Sequence, residues 1–349
     1  MRAGLAALWG RTRTGWARLC LALGVLALGA DRGHAQTVLT ASSWVPPGHV
    51  LQTTMADWCA QVEARSAQSV RCNLLPRAVS APPGTFDAVR NGLADLSFTV
   101  HGYTPGRFLA PRLVEFPFLG NSAEALSAAY SKVAASLPLL AEEHRGVRLI
   151  ALFTHGPGIV FNTKRPIASI DELGGLKFRV GGGMVNDIAR ALGMNATLKP
   201  SSESYELLST GVMDGTLFPP ESIEAFKLDR LVRYATVFPG GLYNTSFAFL
   251  MNQAAYDRLP APGRAAVDAM SGEVAARMFG QGWDRVDQAA MAKLRDTGVA
   301  FADADPAFVS AVRERTGALE EAWIQAMEAK GATNARAVLA ELRVLAARP

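Results

Sequence analysis

The sequence predicts an α/β fold arranged as two lobes. Three observations carry that prediction. Strand-like and helix-like stretches alternate as β-α-β-α-β over residues 37–100 and again over residues 174–218, the pattern of parallel strands joined by crossover helices. The chain has 349 residues, more than one typical domain. Between the two repeats, His155-Gly156-Pro157-Gly158 interrupts a strand, and glycines there can absorb the backbone rotation of a hinge.

The elements follow in order. Thr37 to Trp44 reads as a first strand, and Val45-Pro46-Pro47-Gly48 as the turn at its carboxyl end. His49 to Ala64 has helical spacing, with Leu51, Met55, Trp58 and Val62 on one face. Val70 to Leu75 is a second strand, and Pro76, Pro82 and Pro83 mark a loop. Phe86 to Asn91 is a short helix stopped by Gly92, and Ala94 to Val100 a third strand. The loop from His101 to Phe108 leaves that strand at the crevice edge where Trp44 also falls. Here His101 is either a pocket-lining or a hydrogen-bonded structural residue. Tyr103 offers an aromatic wall with a polar tip, and Arg107 either a second charge or a brace. Phe116 to Leu119 is expected to open a helical region reaching about Glu143. Arg148 to Thr154 is a strand that resumes, after the break, at Ile159 to Asn162.

In the second repeat, Leu176, Phe178 and Val180 share one strand face, with Lys177 and Arg179 on the other. Gly181-Gly182-Gly183 breaks the strand. Met184 to Leu192 is a helix stopped by Gly193. Ser201 or Ser202 can cap the next helix, which ends at Gly211. Val212 to Phe218 is a strand ended by Pro219-Pro220. In such units ligands sit at the carboxyl ends of the strands, where Arg179 and Phe218 lie. Guanidinium presents a fork that matches two carboxylate oxygens, so Arg179 is a candidate carboxylate clamp, or else an ordinary surface arginine. Tyr234 to Phe238 and Thr245 to Leu250 are further strands. Pro262 to Thr297 has apolar residues at roughly helical spacing and no internal proline after its first residue. It reads as one helix long enough to span both lobes, or as two helices on one lobe. The rest is helical, with a strand near Val299 to Ala302.

The stretches GLKFRV, ALGM and SSESYELLSTGVMDG, in that order between Gly175 and Gly215, resemble the DctP-type solute-binding proteins of tripartite ATP-independent periplasmic (TRAP) transporters. FPFL (Phe116 to Leu119), SIDELGGLKFRV and MNQAAYDRLP (Met251 to Pro260) extend the resemblance over most of the chain. It implies a periplasmic-binding-protein-like fold, two α/β lobes with a hinge and a long helix bracing both. It implies that Arg179 holds a substrate carboxylate, that the loop after Val100 lines the pocket, and that the partners are a small carboxylate ligand and TRAP membrane permease subunits. The expected substrate-binding set is Arg179, Phe218, Trp44, His101, Tyr103, His155, Tyr243 and Asn244; Asn244 either touches ligand or caps a turn. The expected division is 36–155 plus 247–285 in lobe I and 156–246 plus 286–349 in lobe II.

The first 35 residues read as a secretory leader, with Arg2, Arg11, Arg13 and Arg18, then the apolar run Leu19 to Ala30, then Gly33-His34-Ala35 at the cleavage positions. An uncleaved anchor is the alternative. The net charge is +4, but these residues hold five arginines and one aspartate, and removing them leaves 30 basic and 30 acidic residues. The basic balance therefore reports targeting and not nucleic acid. Cys59 and Cys72 remain, as one disulfide or as two buried thiols.

Enzyme signatures are absent: no H-E-x-x-H, G-x-S-x-G, Cys-x-x-Cys or P-loop. No cofactor and no metal cluster is expected. The function read from the sequence is periplasmic capture of an organic acid, with an ATP-driven importer or a sensor system as the alternative, and an enzyme third. Two departures from the family pattern bear on the ligand. Phe218 stands where some members place an asparagine, and Gly156-Pro157-Gly158-Ile159 where some place an arginine. Both remove polarity. With Trp44, Tyr103 and Tyr243 available, an aromatic or apolar monocarboxylate is expected over a C4-dicarboxylate or sugar acid.

Overall fold

A computed structural model describes residues 36–348. The leader and its possible anchor role fall outside them. Among the described residues no helix is long and apolar enough to cross a membrane.

The chain opens with β1 (Thr37–Ala41), α1 (Val50–Arg65), β2 (Val70–Leu74), α2 (Thr85–Arg90) and β3 (Leu96–Val100). Then come α3 (Ala123–Ala134), α4 (Pro138–Glu143), β4 (Val147–Thr154) and β5 (Ile159–Asn162). The second repeat supplies α5 (Ile170–Leu173), β6 (Lys177–Val180), α6 (Met184–Ala191), β7 (Asn195–Leu198), α7 (Ser204–Ser209), β8 (Gly215–Phe218), α8 (Pro220–Ala225) and β9 (Tyr234–Val237). The remainder is β10 (Ser246–Asn252), α9 (Gln253–Asp257), α10 (Ala261–Ala269), α11 (Glu273–Asp296), β11 (Ala300–Asp303), α12 (Pro306–Ala329) and α13 (Ala335–Ala346).

Two sheets result. The first has the order β2-β1-β3-β10-β4 and the second β11-β9-β5-β8-β6-β7. In each, one strand runs against its neighbours: β10 is antiparallel to β3 and β4, and β5 is antiparallel to β8 and β9. Both of these strands follow a strand of the other sheet, as does β11. Every residue of β3 and β10 is buried, as expected for central strands covered on both faces. The Cys59–Cys72 disulfide ties α1 to β2, with Cα atoms 5.8 Å apart, which decides between the bridge and two thiols.

Several expectations are corrected. Phe116 to Leu119 forms an irregular turn; the helix there starts at Ala123, capped by Ser122, whose side chain accepts the Ala125 N–H. Phe118 takes a positive φ of 63°, a conformation a helix does not contain. The segment from Pro262 splits at Gly272, with φ 65°, into α10 and α11. The helix α11 has 24 residues, about 36 Å at 1.5 Å per residue, shorter than the span read from the sequence. It packs against α1, α3 and β4 and also against α8, so it touches elements of both sheets. The C-terminal α13 packs on α3, which lies on β4 of the first sheet, and on α12.

Candidate functional site

The crevice lies between the carboxyl ends of the strands of both sheets. About 450 Å³ there, open solvent included, is not filled by protein atoms. Its lining is chiefly aromatic: Trp44, Tyr103, Phe218, Phe226, Tyr243, Phe247 and Trp283.

Arg179 sits at the end of β6. Lys177, on the same strand face, is exposed, but Arg179 is only 1% exposed. Its Nε donates to the Lys199 carbonyl at 2.8 Å, and its guanidinium lies 4.5 Å from the Phe218 ring centre. Its Nη2 is buried with no hydrogen-bond partner. No acidic residue pairs with it among the ion pairs of the described residues. A buried cation so placed costs free energy until an anion meets it. Gly181 leaves the space beside Nη2 open, since a Cβ there would come within 3.5 Å of that atom and 3.7 Å of Tyr103.

The other expected residues fall into two groups. Trp44, Tyr103, His155, Tyr243 and Phe218 line the crevice with Arg179. Trp44 Nε1 donates to the Phe98 carbonyl at 2.9 Å, so its ring serves as a wall. Tyr103 Oη accepts the Ser201 N–H at 3.0 Å, joining the loop after β3 to the loop after β7. Tyr243 lies over Gly158, where a Cβ would sit 2.1 Å from the ring; only glycine permits that approach. Burial pushes the Tyr243 phenol upward.

His101 and Asn244 are not in the lining. His101 turns away into a directed chain of hydrogen bonds. His144 Nδ1 lies 2.7 Å from the Leu140 carbonyl, so that nitrogen carries the proton and Nε2 accepts. His101 Nε2, 2.8 Å away, therefore donates, and its Nδ1 accepts from Ser246 Oγ at 2.8 Å. Tyr130 Oη, 2.9 Å from the same oxygen, completes the chain. Burial lowers His101 well below its ordinary value and His144 to about 4. Asn244 instead ties the hinge, donating to the carbonyls of His155 at 2.9 Å and Gly156 at 3.1 Å.

Sequence reading missed His49, Ser201, Ser222, Phe226, Phe247 and Trp283, all in the lining. His49 caps α1, and its Nδ1 accepts the Leu51 N–H at 3.1 Å; Nε2 then carries the proton and faces Glu221 Oε2 at 3.5 Å. Burial lowers His49 to about 3 and raises Glu221 to about 7. Asp287 of α11 accepts the Glu221 N–H at 2.9 Å. A second junction lies at Glu115, whose two oxygens accept the N–H groups of Met184 (2.8 Å) and Ser246 (3.0 Å). Arg112 next to it pairs with Asp187 of α6. Among the described residues no cluster of metal-ligating side chains occurs.

The family described as bacterial extracellular solute-binding protein, family 7 (DctP), matches residues 41–328. The chain belongs to this family. A periplasmic solute-binding protein of a TRAP transporter from Bordetella bronchiseptica, solved with (R)- and (S)-mandelate, is 43% identical; the match covers 89% of this chain and 98% of that one, with a TM-score of 0.86. A marine metagenome TRAP solute-binding protein specific for aromatic acid ligands, solved with 3-hydroxybenzoate, is 29% identical over 89% and 98% of the two chains, with a TM-score of 0.83. The outer membrane transporter protein TsaT of Comamonas testosteroni is 24% identical over 92% of this chain and 95% of its own length. As a family 7 solute-binding protein, the chain has the two-lobed α/β architecture expected of it.

Proposed function

We propose that this protein is exported to the periplasm, captures an aromatic monocarboxylate between its lobes and delivers it to a TRAP membrane permease. One observation carries the reading. Arg179 is a fully buried cation with an unpartnered Nη2 in a crevice whose lining includes seven Trp, Tyr and Phe rings. A carboxylate beside Nη2 meets the fork, while an arene fills the space between Trp44, Phe218 and Tyr243. Closure excludes water and strengthens the pair by lowering the local dielectric. The relatives that bind mandelate and 3-hydroxybenzoate support the aromatic ligand class. The second carboxylate of a C4-dicarboxylate has no second buried cation to meet, because Arg179 is the one cationic side chain in the lining.

Binding without turnover is the role. An ATP-driven importer, the alternative read from the sequence, is not favoured by the family match. The test is calorimetry of the parent and R179A with benzoate, mandelate and succinate. The parent is expected to bind the aromatic acids, and R179A to lose about 2–5 kcal/mol. Equal affinity in R179A, or binding of succinate alone, would sink the reading.

A further inference from the structure

Trp283 projects from α11 into the lining and is 1% exposed. Its Nε1–H, a donor with no accepting alternative, has no hydrogen-bond partner. A buried indole N–H ordinarily finds one, and leaving it unpaired costs stability. The contrast with Trp44 is direct: that indole, in the same crevice, is satisfied by the Phe98 carbonyl.

The neighbour of Trp283 is the complement. His155 lies 5.8 Å away, ring centre to ring centre, at 63°. Its Nδ1 is committed to the Gly156 carbonyl, which places the proton on Nδ1. Nε2 is left as a lone-pair acceptor, and none of the hydrogen bonds of the described residues reaches it. Burial lowers the ring to about 4, so this tautomer holds at neutral pH. One wall of the crevice thus offers a free donor and a free acceptor side by side.

His155 of that wall also packs on Tyr243, ring centres 5.4 Å apart. The guanidinium touches Phe218 at 4.5 Å, Phe218 stacks on Phe226 at 5.7 Å, Phe226 meets His49 at 5.8 Å, and His49 meets Trp283 at 5.6 Å. Three rings separate the cation from the indole along this path.

Resting on the carboxylate reading of Arg179, we propose that Trp283 and His155 form a hydroxyl-reading subsite, so the favoured ligand is an aryl acid carrying a ring hydroxyl. A hydroxyl both accepts and donates. It takes the Trp283 proton and gives its own to His155 Nε2. A carbonyl satisfies only the indole, and an amine only the imidazole. A bare arene leaves both unpaired, and sites built to bond a hydroxyl discriminate strongly against the analogue lacking it.

The experiment is calorimetry with two matched series: benzoate, 3-hydroxybenzoate and 4-hydroxybenzoate, and phenylacetate with its 3- and 4-hydroxy forms. In the parent, the better hydroxylated isomer of at least one series is expected to bind more than about tenfold tighter than the bare acid. In W283F that ratio should fall below about threefold, whatever the variant does to the affinity of the bare acid, and H155F should do the same. A merely structural indole would lower the melting temperature and leave the ratio unchanged, and that result overturns the proposal. So does a parent ratio near one, which needs no variant to measure. If bare and hydroxylated acids bind equally, the subsite falls and the carboxylate reading stands. If no aromatic acid binds, both fall.

Discussion

At the scale of single residues, the crevice is built from groups whose preferred state differs from that in water. Glu115 is one such group outside the lining. Burial raises its carboxyl to about 7, against hydrogen bonds from Met184 and Ser246 that favour the charged form. A carboxyl that holds its proton more tightly when folded contributes stability that is greatest below the unfolded pKa. That stability is lost as pH rises from about 4.5 to 7. The E115Q variant lacks this titration and turns an amide N–H toward one of the two donors. Urea unfolding should find it about 1–3 kcal/mol less stable at pH 5. The gap to the parent should narrow on going to pH 7.5. A gap that widens would contradict the sign. The same scale explains what the sequence could not reveal. His101 follows a strand end, as a pocket residue would, but the direction of its ring is set by His144 and Ser246, distant in the chain. Nothing local announces those partners.

At the scale of elements, alternation and punctuation were readable because the physics is local. β5 begins and ends where the apolar run does, and β6 and β8 stop at Gly181 and Pro219 as predicted. Arg179 was legible as a strand-end cation with a resemblance to support it. Trp283 was not, because its indole looks like any other apolar position on an amphipathic helix. The break at Gly272 was legible only as one of three glycines that could kink the segment. The spacing of apolar residues continues through it, and only the positive φ, which glycine alone adopts cheaply, shows that the axis turns. The disulfide also belongs to this scale. It closes a loop with a sequence separation of 13, so removing it should release about 3 kcal/mol of constraint on the unfolded chain. The C59S/C72S pair is expected to melt earlier than the parent yet keep its affinity for aromatic acids. The bridge ties the outer edge of the first sheet, and neither cysteine lines the crevice. Unchanged melting would show that the bridge carries no such constraint.

At the scale of the whole molecule, the lobes meet through backbone. Gly102, after β3, faces the loop after β6 so closely that a Cβ would lie 2.7 Å from the Gly182 carbonyl carbon and from the Gly183 nitrogen. Gly182, with φ 85°, returns the contact, its own Cβ position falling 2.3 Å from the Gly102 oxygen. Neither side has a flexible chain end to move aside, so the lobes must stand apart if Gly102 gains a methyl group. G102A should keep the parent's melting temperature without ligand and bind aromatic acids at least about tenfold more weakly. Small-angle scattering should show less compaction on ligand addition. Parent-like affinity in G102A would mean that the two loops separate at no cost.

The long rod α11 is fastened to α3 by two features. A Cβ on Gly280 would lie 2.5 Å from the Glu124 Cα. One turn along, Asp284 accepts Ser122 Oγ (2.7 Å) and the N–H groups of Ala123 (2.6 Å) and Glu124 (3.1 Å). A notch and a cap together pin the rod like a keyed shaft, so it cannot slide or roll on α3. It meets the other half at α8, through the Asp287 bond to the Glu221 N–H and the Lys293–Glu224 ion pair. The indole therefore stays with α3, while the guanidinium stands at the end of β6 in the second sheet. A guest too short to reach from one to the other leaves the jaws without a reason to stay shut.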